Sequence, residues 1–139
     1  MTTPTPPVPL SPLVLVVDDV ELMRELLGLQ LSRAGCRFET AIDGVTALHA
    51  LHLRRYDMVL MDRAMPFMDG CDATRSWRAH EQERGLPVIP IIGVGGQPDD
   101  RNDCLEAGMQ EFVTKPLTIA ALDVLLKRFL NYERVDAQV

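Results

Sequence analysis

The 139-residue chain carries a net charge of −6, with 47% apolar and 24% charged residues and a mean hydropathy of +0.03, proportions that fit one soluble globular domain with an ordinary apolar core. No basic cluster is present, which argues against nucleic acid or an anionic membrane as partner, and no apolar run approaches the roughly 20 residues of a membrane helix. The three cysteines, Cys36, Cys71 and Cys104, lie more than 30 residues apart, which suits neither a disulfide framework nor a zinc site, so buried thiols in a reducing, cytoplasmic setting are expected.

Residues 1–11 read as a proline-rich tail or linker: MTTPTPPVPLSP lacks the basic start and apolar stretch of a secretory signal, and its prolines exclude helix or central strand. Leu13-Val14-Leu15-Val16-Val17 follows as a continuous apolar run, the pattern of a parallel strand covered on both faces, and Asp18-Asp19 ends it. Leu22/Met23, Leu26/Leu27 and Leu31 then recur at helical spacing, with Gly35 as the C-terminal cap. A short strand is expected over 38–42, after which Asp43-Gly44 turns into a helix with Val45, Leu48 and Leu51 on its apolar face. The run 58–61 is a third strand, ending at Asp62. Pro66 breaks the chain, and Asp69-Gly70 opens a helix that runs towards Arg84 and stops at Gly85. A fourth strand holds Ile91-Ile92, with Pro90 at its first residue because proline cannot donate to a central ladder, and the glycine-rich stretch 93–96 follows it. A helix over 99–107 capped by Gly108, a strand over 111–114, and a helix N-capped by Thr118 and bearing Leu122, Leu125, Leu126, Phe129 and Leu130 complete the order. Residues 133–139 are a C-terminal tail.

Five strands alternating with five helices predict an α/β fold, a doubly wound five-stranded parallel sheet. In such sheets functional groups gather beyond the carboxyl ends of the strands, near the point where strand order reverses. The first strand ends at Asp18-Asp19, the third at Asp62 and the fifth at Lys115, so three carboxylates and one ammonium are expected on one rim. Two carboxylates about 4 Å apart repel by roughly 4 kcal/mol at an effective dielectric near 20, and converging ones raise each other's pKa or recruit a cation. Magnesium prefers oxygen ligands, and an ion held by Asp19 and Asp62, with Asp18 nearby or acting through water, is the simplest resolution. A carboxylate beside that ion can attack a phosphoryl group and form an acyl phosphate, while the metal and Lys115 offset charge on the transferring oxygens. Each piece alone has a plainer reading: Asp18-Asp19 as a helix cap, Asp62 as the start of a turn before Pro66, Lys115 as a solvated strand end. Their joint position at strand ends carries the functional reading.

Leu15-Val16-Val17-Asp18-Asp19, the run 61–70 (MDRAMPFMDG, a D-x-x-M-P-x-M-D-G pattern) and the stretch 104–116 (CLEAGMQEFVTKP) resemble the response-regulator receiver family, over residues 12–132. The resemblance implies a flavodoxin-like sheet of strand order 2-1-3-4-5. It implies that Asp62 accepts phosphate from a histidine kinase or histidine phosphotransfer protein, with Mg2+ as cofactor. Asp18 and Asp19 would be the acidic pair, the backbone carbonyl of Ala64 a further metal ligand, and Lys115 the phosphate partner. Phe112 falls where the family places its switch aromatic, although a core phenylalanine fits equally well. A downstream protein target would be met through the 99–130 surface, and no enzymatic activity beyond self-phosphorylation and autodephosphorylation is implied.

One departure concerns the switch. The family carries Ser or Thr at the end of the fourth strand. Aligning Pro90-Ile91-Ile92-Gly93-Val94 with the usual pattern puts Gly95 there and shortens the following loop by two residues, whereas counting back from Lys115 without a gap gives Gly93. Neither has a hydroxyl, and Gly95 is preferred because Pro90 then starts the strand. Coupling from Asp62 to Phe112 and the 99–130 surface is therefore expected to be weak or to follow another route, and the glycines could let backbone N–H groups approach the phosphate.

His49 and His52 read as exposed helix residues, and Asp99, Asp100 and Asp103 as the solvated, dipole-favoured start of a helix. Two rival functions remain. One is a receiver-fold binding scaffold signalling independently of phosphorylation. The other is a phosphotransferase or phosphatase acting through an aspartyl-phosphate, which usually needs a second acid two residues after the nucleophile, where Ala64 stands. The proline-rich start suits a linker from an upstream sensor kinase, so the chain is either a receiver from a hybrid kinase or a free-standing one.

Overall fold

The computed structural model describes residues 11–132, so the tails expected at 1–11 and 133–139 lie outside the described residues except for Ser11. The strands are β1 (Leu13–Val17), β2 (Arg37–Ala41), β3 (Met58–Asp62), β4 (Ile91–Gly95) and β5 (Glu111–Thr114). They alternate with α1 (Glu21–Arg33), α2 (Gly44–Leu53), α3 (Gly70–Arg84), α4 (Asp100–Ala107) and α5 (Ile119–Leu130). Every ladder is parallel and the sheet order is β2-β1-β3-β4-β5, the order the sequence reading anticipates.

Side chains alternate across a strand, so a strand covered on both faces is apolar throughout. That is the case for β1, β3 and β4, which are buried along their whole length. Leu15, Val17, Val59, Met61 and Ile91 enter one core with residues of α2, α3 and α4. Their neighbours Val14, Val16, Leu60, Ile92 and Val94 enter the other, with Leu27 and Leu31 of α1 and Leu122, Leu125 and Leu126 of α5. Each large apolar side chain so buried stabilises the fold by about 1.5–3 kcal/mol. The edge strand β2 is mostly exposed.

The expected helix ends are present. Asp69 accepts a hydrogen bond from the Asp72 N–H at the start of α3, Gly85 ends that helix in the left-handed region (φ 64°), and Thr118 accepts from the Ala121 N–H at 3.1 Å to cap α5. Trp77 is buried and donates through Nε1 to Glu81, while His49 and His52 are exposed on α2. Cys36, Cys71 and Cys104 are buried and form no disulfide, and burial pushes Cys104 up to about 12.

Several expectations need correction. Strand β2 begins at Arg37, one residue earlier than expected, and Ile42 stands outside it, exposed. Strand β4 does not stop before the glycines: Gly93 and Val94 pair with Met61 and Asp62, and Gly95 pairs with Thr114. Pro90 lies just ahead of that strand, its carbonyl accepting from the Val59 N–H. On α1 the buried face is Leu27, Gly28 and Leu31, which leaves Leu22 (70% exposed) and Leu26 on the outside. On α2 Ala47 takes the place expected of Val45, which is exposed. Both helices carry apolar residues on two stripes, and only packing selects the inner one. Within the described residues no helix is long and apolar enough to cross a membrane.

Candidate functional site

Three strand ends hold the site in place. The Asp18 N–H continues the ladder by donating to the Ala41 carbonyl, and the Asp18 carboxylate turns back to accept from the Val20 N–H at 2.9 Å. Asp18 therefore fixes the β1–α1 turn, while the N-cap residue, Val20, has no side-chain cap. Asp62 is the last residue of β3 and is buried. A Cβ at Gly70 would lie 2.1 Å from the Asp62 carbonyl oxygen, so only glycine lets α3 begin this close to the strand end. Lys115 follows β5 and is anchored by its N–H, which donates to the Gly95 carbonyl at 2.7 Å; the Lys115–Pro116 peptide is cis.

These ends bring the expected residues together. Carboxylate oxygens of Asp18, Asp19 and Asp62 lie within 4.8 Å of one another, the first and last buried and Asp19 exposed. The Lys115 Nζ stands 3.1 Å from Asp62 and 3.4 Å from Asp18. One ammonium thus faces three acids. Burial, and then the charge of Asp18, push Asp62 up to about 6; the hydrogen bond and charge of Lys115 and the Ala64 N–H offset only part of this. Burial opposes the charge of Lys115, but Asp62 and then Asp18 outweigh it and raise its pKa. A cluster of hard oxygen donors with uncompensated negative charge fits a magnesium ion and offers nothing to a soft metal.

Gly93 and Gly95 differ in what surrounds them. A Cβ at Gly93 would meet the Met109 sulfur at 2.6 Å and the Cys104 sulfur at 3.1 Å, inside the core. A Cβ at Gly95 would meet the Phe112 ring at 2.9 Å and a carboxylate oxygen of Asp100 at 3.0 Å. Gly95 is thus the glycine at the rim, one residue beyond the Val94 that pairs with Asp62, and Phe112 is buried against it. Ala64 is exposed and directs its N–H towards Asp62 at 3.4 Å.

Arg63 went unnoticed in the sequence. Its guanidinium reaches Asp103 at 3.0 Å, Asp69 at 3.4 Å and Asp100 at 3.9 Å. Asp100 and Asp103 are therefore ion-paired residues and not merely a solvated helix start. A cation directly after Asp62, with an acidic run at 99–103, was the available signal.

Residues 14–127 match the family profile described as the response regulator receiver domain. The chain belongs to that family. The receiver is 40% identical over 126 residues to the sensor histidine kinase RcsC of Escherichia coli, covering 88% of this chain and 12% of that protein. It is 31% identical over 121 residues to the hybrid signal transduction histidine kinase L of Dictyostelium discoideum, covering 84% of this chain and 7% of that one. The receiver thus spans about a tenth of the length of the curated relatives it matches. Its fold superposes on the receiver domain of the sensor histidine kinase PA1611 from Pseudomonas aeruginosa PAO1 with a TM-score of 0.78 and 33% identity, over 87% of this chain and 98% of that one; that structure has magnesium coordinated in its active-site cleft. The receiver domain of Saccharomyces cerevisiae Ssk1, solved with the histidine phosphotransfer protein Ypd1, shares the fold at a TM-score of 0.81 and 22% identity, over 88% of this chain and 91% of that one.

Proposed function

We propose that this receiver takes a phosphoryl group onto Asp62 from a phosphohistidine donor, a histidine kinase or histidine phosphotransfer protein, in a cytoplasmic setting. The observation that carries the reading is the placement of Asp62, buried between the Lys115 ammonium and the Asp18 carboxylate at the carboxyl rim of the sheet. Attack by an Asp62 oxygen forms an O–P bond as the N–P bond of the donor breaks; the imidazole leaves with the electron pair and takes a proton from solvent. Lys115 stands beside the attacking carboxylate, where negative charge on the transferred oxygens accumulates. Asp18, Asp19, Asp62 and the Ala64 carbonyl would hold the magnesium, which neutralises charge on those oxygens when bound. The chemistry ends at self-phosphorylation and autodephosphorylation, and the 99–130 surface meets the downstream target.

An exposed apolar set frames the rim: Val20, Leu22 and Leu26 on one side, Ile119 on another, and Phe67, 95% exposed, on the loop after Asp62. Such a patch supports docking of a protein donor over Asp62. Gly95 takes the position where the family keeps a hydroxyl. A second reading, a binding scaffold independent of phosphorylation, draws on one observation: Phe112 is already packed against Gly95.

Incubation with a small phosphodonor and Mg2+, followed by intact-mass spectrometry, separates the two. The phosphoacceptor reading expects the mass of one phosphoryl group on the native chain and none on Asp62→Asn. An unmodified native chain favours the scaffold.

A further inference from the structure

The Arg63 side chain is three-quarters buried, 24% exposed, and is held by carboxylates from two different elements. Asp69 belongs to the start of α3, where its other oxygen is engaged by the Asp72 N–H. Asp100 and Asp103 belong to the first turn of α4. Arg63 therefore ties the loop that follows Asp62 to the first turn of α4, beyond Gly95. One of its donors is unused: Nε is buried with no hydrogen-bond partner, 3.9 Å from Asp100.

The hydroxyl route to α4 is closed here. The space a side chain at Gly95 would occupy is taken by the Phe112 ring and by the Asp100 carboxylate, each about 3 Å from the missing Cβ. Next to that Asp100 carboxylate, at 3.9 Å, lies the Arg63 Nε with its unused hydrogen-bonding capacity, on the residue that follows Asp62. A phosphoryl group brings about −1.5 to −2 charge and three acceptor oxygens, which a guanidinium fork matches better than it matches single oxygens of separate carboxylates.

We propose that Arg63 reads the phosphoryl group on Asp62 and relays it to α4, an inference that rests on the phosphoacceptor reading above. On phosphorylation the guanidinium turns towards the phosphoryl oxygens and gives up Asp103 and Asp100. The first turn of α4 then loses its tie to the phosphoacceptor loop and keeps its other connections. Arg101, between the two aspartates, donates to Glu111 at 2.5 Å and to the Phe112 carbonyl, and Glu111 also binds Arg128 of α5. Loosening at Asp100 and Asp103 thus reaches β5 and α5 through a side chain already in place.

The test follows backbone amides of the full chain by NMR before and after a small phosphodonor with Mg2+, with intact mass recorded on each sample. The variants are Arg63→Met, Arg63→Lys and Asp103→Asn. In the native chain phosphorylation is expected to shift amides 100–107 and 111–114. In Arg63→Met the unphosphorylated α4 amides should already lie near the phosphorylated native positions, with faster hydrogen exchange in that first turn, and phosphorylation should add no further shift. Asp103→Asn should move the same amides in the same direction, and Arg63→Lys, which keeps the charge but not the fork, should restore part of the response. Unphosphorylated Arg63→Met amides at the unphosphorylated native positions that move on phosphorylation as far as the native ones do, or unchanged α4 exchange in both Arg63→Met and Asp103→Asn, would overturn the relay alone. A native chain that gains no phosphoryl mass would sink the phosphoacceptor reading and the relay with it.

Discussion

Asp62 binds its proton more tightly folded than unfolded, because burial and Asp18 push its pKa from the ordinary 3.8 to about 6. Between roughly pH 4 and 6 the native state therefore holds more protons than the unfolded one, so this residue's contribution to stability falls as pH rises through that window. Above it the whole penalty is present. Asp62→Asn removes the charge while Lys115 keeps Asp18 at 3.4 Å. In metal-free buffer at neutral pH the variant should be more stable than the native chain by about 1–3 kcal/mol, with the gain vanishing near pH 4. Urea unfolding at both pH values checks this, and a less stable variant at neutral pH would contradict the burial argument. At Gly70 the expectation is opposite in sign. Gly70→Ala sets a methyl 2.1 Å from the Asp62 carbonyl, so a loss of at least about 1–3 kcal/mol by urea unfolding is expected as strand end and helix move apart. The acids and Lys115 were legible because strand ends can be read from where apolar runs stop. Arg63 was not, because its partners Asp100 and Asp103 lie about 40 residues further along the chain.

At the scale of elements, α1 shows what periodicity leaves open. Leu22, Leu26 and Leu29 form one stripe, Leu27 and Leu31 another, and the sheet takes the second. The first remains exposed beside the rim. If it receives the donor protein, the double variant Leu22→Ser with Phe67→Ala should slow phosphoryl transfer from a phosphorylated histidine phosphotransfer protein by roughly 10-fold or more, since exposed anchors of this kind carry about 1–2 kcal/mol each. Its rate with a small phosphodonor should stay native. Equal slowing with both donors would place the defect in the site and not in docking. Strand β4 teaches a related lesson. Glycine is disfavoured in strands, yet Gly93 and Gly95 sit in one because Met109, Cys104 and Phe112 fill the space their side chains would need. That crowding arises from residues that only the fold brings near.

For the molecule as a whole, the alternation of five strands with five helices predicts the doubly wound sheet that the structure has, but not which stripes of α1 and α2 enter its cores. The same architecture leaves three acids facing one ammonium, so binding of a divalent ion should stabilise the fold in proportion to ln(1 + [Mg2+]/Kd). Thermal unfolding should shift upward with Mg2+ at neutral pH, less so at pH 4.5 where Asp62 is protonated, and not at all in an Asp19→Asn, Asp62→Asn double variant. An equal shift in that variant would place the ion elsewhere. The claim on which the rest depends is that Asp62 itself is the nucleophile. Borohydride reduces an aspartyl phosphate to homoserine, so phosphorylation of the native chain with Mg2+, reduction and peptide sequencing by mass spectrometry names the residue. Homoserine at position 62 alone is the expected result; homoserine at another aspartate, or none in a chain that has gained phosphoryl mass, would contradict it.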